Sequence, residues 1–294
     1  MTATRKYVVF FVALLVASVV GIAAAQPTEV TVRVLSRGGG FLGAPAGGAE
    51  VTLRDARTGE LLARGMTEGS PGDIERIMGA ASGRDGRIAT EETARFSTSL
   101  DLQRPRLVEV TAIGPMGEEQ AANRATATQW IVPGHHLTGG DGWVIEIPGL
   151  AVAIDSAPTA LTLNDEPAGV DVRASITMMC GCPIEPGGRW DADDFHLAVL
   201  VYRDGERLRE QPLSYAGEPS RFGTRVEVTE PGAYELVVYA HQPDTGNTGV
   251  DRVAFVAESD QAALDPVAAA MARCGMKSTQ AADDGTGAVA ADGL

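Results

Sequence analysis

The sequence predicts an all-β protein: two tandem antiparallel β-sandwich domains, then a short C-terminal helix and a disordered tail. Three observations carry this. Short segments from residue 28 onward alternate apolar and polar residues with period two, as half-buried strands do. Turn-forming dipeptides separate those segments at the close spacing expected of sandwiches. The 294 residues, 44% hydrophobic and 21% charged with 35 glycines, suffice for two globular cores but not for a disordered chain.

In the first half, Glu29–Leu35 alternates cleanly and a Gly-rich loop follows. Ala49–Asp55 and Leu61–Gly65 flank a turn at Arg57-Thr58-Gly59, which reads as a hairpin. Ala94–Leu100, Arg106–Ala112, Ala125–Val132 and Trp143–Ile147 complete the strands. Between them, Ser70–Thr93 is an irregular insertion in which Ile74–Ala81 has helical character. The stretch GAEVTLRDARTGELLARGMTEG, with VEVTAIGP further on, resembles the carboxypeptidase-regulatory, transthyretin-like β-sandwich family over residues 28–115. That resemblance implies a sandwich within 26–150.

Residues 149–158 read as a linker or a strand shared between domains. Beyond them, Ala168–Met178 places Val170, Val172, Ala174, Ile176 and Met178 on one face. Phe195–Tyr202, turned by Arg203-Asp204-Gly205 into Arg207-Leu208, then Arg225–Val228, Tyr234–Ala240 and Val250–Val256 follow. Their order resembles an immunoglobulin-like or fibronectin-III-like sandwich over 157–258, without the Cys–Trp–Cys arrangement of antibody domains. Residues 259–276 contain Asp265 as N-cap and Pro266 at the first helical turn, an alanine-rich run, and Gly275 as a stop. Residues 277–294 end in Ala, Asp and Gly with little to bury, so a disordered tail is expected.

Residues 1–25 have the layout of a secretory signal peptide: Arg5 and Lys6, an apolar run from Tyr7 to Ile22, then Ala23-Ala24-Ala25 before Gln26. An uncleaved anchor is the competing reading of that run. No later segment is apolar enough to span a bilayer, so no transmembrane span is expected after cleavage, and the location expected is periplasmic or secreted. The formal charge of −15 excludes a nucleic-acid partner held through phosphates. A protein or cell-envelope partner is expected instead.

Gly38-Gly39-Gly40-Phe41-Leu42-Gly43 satisfies a dinucleotide-loop pattern. The next element is a strand and not a helix, so a plain turn is expected and no cofactor. His135-His136 falls in a Pro-Gly and Gly-Gly loop, which reads as solvated polarity. Asp191, Asp193 and Asp194 read as a solvated strand edge more than a calcium loop. No zinc-protease or nucleophile-elbow motif occurs, and no catalytic residues are assigned.

Met178-Met179-Cys180-Gly181-Cys182 gathers four sulfurs within five residues at the end of a strand. Three readings compete. Inert packing is one. A disulfide or redox pair is the second: Cys180 with Cys182 closes a small ring, and either with Cys274 ties the C-terminal helix to the second sandwich. The third is a soft-metal, copper-type site of Met178, Met179, Cys180 and Cys182, with Cys274 and Met276 as a further pair. The function expected is therefore an exported, non-enzymatic binding or accessory protein with a thiol-redox or copper site. The alternative is a structural or adhesion-type cell-envelope module whose cysteines only brace the fold.

Overall fold

A computed structural model describes residues 26–79, 86–156, 158–164 and 167–260, and over these the chain is an all-β protein built from four sheets. The expected signal sequence, the helix expected to carry Cys274 and Met276, and the expected tail fall outside the described residues.

The first sandwich uses Gln26–Ser36 (β1), Glu50–Asp55 (β2), Leu61–Met66 (β3), Phe96–Leu102 (β4), Arg106–Gly114 (β5), Asn123–Ile131 (β6) and Trp143–Ile147 (β7). One sheet has the order β4-β1-β7 and the other β3-β2-β5-β6. Val30, Val32 and Val34 face Val51 and Leu53 of β2 and Val108, Val110 and Ala112 of β5 in one buried cluster. The polar face of β1 is covered too: Thr31 and Arg33 are buried. The loop of residues 137–142 lies against it: the Thr31 amide donates to the Leu137 carbonyl at 3.0 Å and Arg33 Nη1 to the Asp141 carbonyl at 2.8 Å. The insertion holds that loop in turn, its Ala89 amide donating to the Asp141 carboxylate at 2.9 Å. The insertion's helix Ile74–Gly79 (α1), with Ala89 and Ala94, packs with Phe41, Leu35 and Val144 into a small third core.

The second sandwich uses Leu150–Ser156 (β8), Ala160–Leu163 (β9), Ala168–Met178 (β10), His196–Arg203 (β11), Glu206–Pro212 (β12), Ser214–Tyr215 (β13), Arg221–Val228 (β14), Gly232–Gln242 (β15) and Asn247–Ser259 (β16). Its sheets have the orders β13-β14-β10-β8 and β12-β11-β15-β16-β9. Named A, A′, B, C, C′, D, E, F and G in chain order, these strands form a D-E-B-A sheet and a C′-C-F-G-A′ sheet, which is the immunoglobulin arrangement. The A′ strand runs parallel to G, since Val256–Ser259 pairs in that sense with Ala160–Leu163. A tyrosine corner confirms the assignment. Tyr234, near the start of β15, donates its hydroxyl hydrogen to the Glu230 carbonyl at 2.8 Å and stacks on Phe255 with ring centroids 5.3 Å apart.

The face expected for Ala168–Met178 is the buried one: Val170, Val172, Ala174, Ile176 and Met178 lie in the core, while Asp171 and Arg173 opposite them are exposed. Two strands go unread in the sequence, and a third, β8, reads only as a linker or a shared strand. β9 and β13 are only four and two residues long. β8 lacks alternation because both its faces are covered: Leu150 and Val152 enter the second core, while Ala151 enters the first. Of the two readings of residues 149–158, β8 fits the shared strand: it pairs with β10 ahead of the 157–258 stretch, and only Pro148-Gly149 separates it from β7.

Candidate functional site

The sulfur-rich segment lies at the seam between the two sandwiches. β10 ends at Met178, and the chain turns there through Gly181, whose φ of 75° is a left-handed conformation suited to glycine. The Gly181 amide donates to the Met178 carbonyl at 2.8 Å, and the Met178 amide donates to the Cys182 carbonyl at 3.1 Å. Cys180 and Cys182 are joined as a disulfide, with Cα atoms 5.3 Å apart. Met178, Met179, Cys180 and Cys182 are all buried, so this is not a solvated loop.

What covers it comes from the first sandwich. A Cβ on Gly39 would stand 3.2 Å from Cys180 Sγ, so the glycine lets the backbone lie against the disulfide. A Cβ on Gly181 would stand 3.2 Å from the Pro45 carbonyl. The Gly-rich run is thus a turn, as anticipated, closed by Gly39 N–H to the Ser36 carbonyl at 3.0 Å. Its glycines allow close approach to the second sandwich. Polar bonds pin the seam. Trp190 Nε1 donates to the Gly38 carbonyl at 2.9 Å. Asn247, fully buried, donates to the Arg37 carbonyl at 3.0 Å and accepts from the Gly149 amide at 3.0 Å. A small cleft of about 140 Å³, lined by Pro45, Ala46, Ala151, Met178, Met179 and Gly181 among others, remains beside the disulfide.

The neighbouring methionines serve different cores: Met178 packs in the second and Met179 in the first. Soft-metal binding by Cys180 and Cys182 requires the disulfide to be reduced, because the ligand is the thiolate. Among the described residues, no group of three or more His, Cys, Asp or Glu side chains converges as a metal site.

The remaining polar candidates separate into two settings. In the first sandwich His136 Nδ1 accepts the Glu29 amide at 3.0 Å, which anchors the His135-His136 loop to β1. In the second, Asp191 caps the 3₁₀ turn Ala192–Asp194, its carboxylate accepting the Asp193 amide at 3.2 Å. That turn borders an open cleft of about 830 Å³ with Phe195, His196, Glu210, Tyr215, Phe222 and Tyr239 on its walls. Tyr239 donates its hydroxyl hydrogen to Glu210 Oε1 at 2.7 Å. That bond, with partial burial second, holds the phenol above its ordinary pKa. Sequence reasoning missed Asn247, Trp190 and this cleft. Trp190 had a signal, an aromatic beside a Gly-rich turn, whereas Asn247 in a polar hairpin had none.

No protein-family model matches the chain, and no curated protein does. Among solved structures, it is similar to the fibronectin(III)-like modules of CbhA from Clostridium thermocellum, with 11% identity over 80% of this chain and 96% of that one, at a TM-score of 0.26. It is also similar to a D1–D4 ectodomain fragment of ICAM-5, with 13% identity over 80% of this chain and 50% of that one, TM-score 0.23. The FN1–FN3 domains of chicken CNTN1 give 14% identity, 80% and 66% coverage and a TM-score of 0.24. The immunoglobulin-like assignment rests on the strand order and the Tyr234 corner, not on these superpositions.

Proposed function

We propose that the chain is an exported, non-enzymatic interaction module. Its two sandwiches are held as one unit by a buried seam, and Cys180–Cys182 braces that seam without acting as a redox or copper centre. The observation that carries this reading is the burial of the disulfide beneath Gly39 and Pro45, with Met178 and Met179 committed to separate cores. A thiol that exchanges partners or takes up a metal is reached from solvent, whereas this pair is enclosed. A disulfide in a chain with a signal-type N-terminus also suits an oxidising compartment. Open sheet faces and loops then serve a protein or cell-envelope partner.

The test is made in the producing cell. The chain should be recovered outside the cytoplasm, beginning at or near Gln26, with one disulfide and one alkylatable cysteine. A membrane-impermeant cross-linker should couple it to a protein or envelope component. Recovery from the cytosol, uncoupled and with three free thiols, would overturn the reading.

A further inference from the structure

His196 and His241 stand directly opposite each other on neighbouring antiparallel strands, β11 and β15. Their rings are stacked, 17° from parallel, with centroids 6.1 Å apart. We propose that this pair is a binding site for a divalent transition-metal ion of the copper–zinc class, with the two imidazoles as protein ligands and the remaining positions open to solvent. The site is separate from the sulfur cluster and independent of the function proposed above.

Reach comes first. Two imidazoles sharing one ion, with metal–nitrogen bonds of about 2.05 Å and a tetrahedral angle, have ring centroids about 5.2 Å apart. The observed 6.1 Å closes to that value by a shift of under about 1 Å. The rings must also turn so that their lone pairs converge. His196 is exposed and His241 half-buried, and the terminal torsion of histidine is soft, so neither turn meets the packed core. The backbone holds the two Cβ positions in register, so the strands supply the preorganisation.

Availability is the second point. Within the described residues neither imidazole of this pair makes a hydrogen bond, unlike His136, whose Nδ1 is engaged by the Glu29 amide. Charge is the third. No lysine or arginine lines the cleft that His196 borders, whereas Asp193 does, one turn before it. On the His196 side, the site thus borders a cleft whose lining carries the carboxylates of Asp193 and Glu210 and no cation. Neutral imidazole suits zinc, nickel and copper(II), and hard magnesium and calcium gain little from it.

Isothermal titration of the mature chain with Zn(II) and Cu(II) should show one site per molecule, tighter for Cu(II). Magnesium should give no heat. Each of His196→Ala and His241→Ala should weaken binding by at least about tenfold. His196→Gln should do the same, and unchanged circular dichroism keeps the comparison interpretable. Asp193→Asn should weaken binding less. The electron paramagnetic resonance of the Cu(II) form should show coupling to imidazole nitrogens that disappears in the double variant. Variants His135→Ala/His136→Ala and Cys180→Ser/Cys182→Ser should leave the site intact. No uptake by the folded chain overturns the proposal. So does uptake that survives loss of His196 and His241.

Discussion

Asn247 does more for the joint than any charged residue near it. Its single amide group satisfies a carbonyl of the first sandwich and the amide of the junction residue Gly149. Replacing it by Leu leaves both groups buried without partners, and each such group costs about 1–3 kcal/mol. Asn247→Leu should therefore lower the urea midpoint substantially, whereas replacing exposed Asn123, which donates to the Pro148 carbonyl, should change it less. The disulfide is a weaker brace than its burial suggests. A ring closed between residues two apart removes little freedom from the unfolded chain, about 1–2 kcal/mol in the entropic account. Asp55 shows how charge enters. Its carboxylate accepts the amides of Arg57 at 2.9 Å and Thr58 at 3.0 Å, and these bonds hold its pKa below the ordinary aspartate value. A depressed carboxyl contributes stability above its unfolded pKa and loses it as the pH falls through the folded one. Asp55→Asn should accordingly flatten the acid limb of a stability–pH curve measured by denaturant titration.

At the scale of elements, periodicity was a good guide wherever one face of a strand is wet. β2, β5, β10 and β15 follow their alternation closely because core-facing apolar residues alternate with less buried ones. It failed at β8, whose Leu-Ala-Val-Ala-Ile run carries no polar face to alternate with. It also gave no sign that both faces of β1 are covered, because contact of the 137–142 loop with Thr31 and Arg33 is a tertiary event with no local signature. Burial there lowers the guanidinium pKa of Arg33, with Arg95 adding to the effect, yet its Nη1 still finds the Asp141 carbonyl at 2.8 Å. The pairing of β8 with β10 has a consequence. A fragment of residues 157–258 lacks Leu150 and Val152 from the core and leaves one edge of β10 unpaired. That fragment should fail to unfold cooperatively in urea, whereas residues 150–260 should recover a transition by far-ultraviolet circular dichroism, at a lower midpoint than the full chain because Met179 and the disulfide lose the first sandwich that covers them.

For the whole molecule, the sulfur cluster was legible as a place and not as a role. Its composition marked residues 178–182 as unusual, but nothing local announces that a loop from the other sandwich, some 140 residues earlier, closes over it. Long-range closure of this kind makes the two sandwiches depend on each other. Met179 belongs by sequence to the second sandwich, yet its side chain lies in the first core, within reach of Gly149. Met178, its neighbour, fills the second core. Truncating a buried methionine to alanine costs about 2–5 kcal/mol through lost burial and the cavity left behind. Met179→Ala should therefore raise hydrogen exchange first in β2 and β5, although the substitution lies outside that sandwich. Met178→Ala should raise it first in β11 and β15. If each substitution loosens only the sandwich in which it stands by sequence, Met179 does not belong to the first core. If both loosen every strand equally, the two cores unfold as one cooperative unit, and the seam is as stable as the sandwiches it joins.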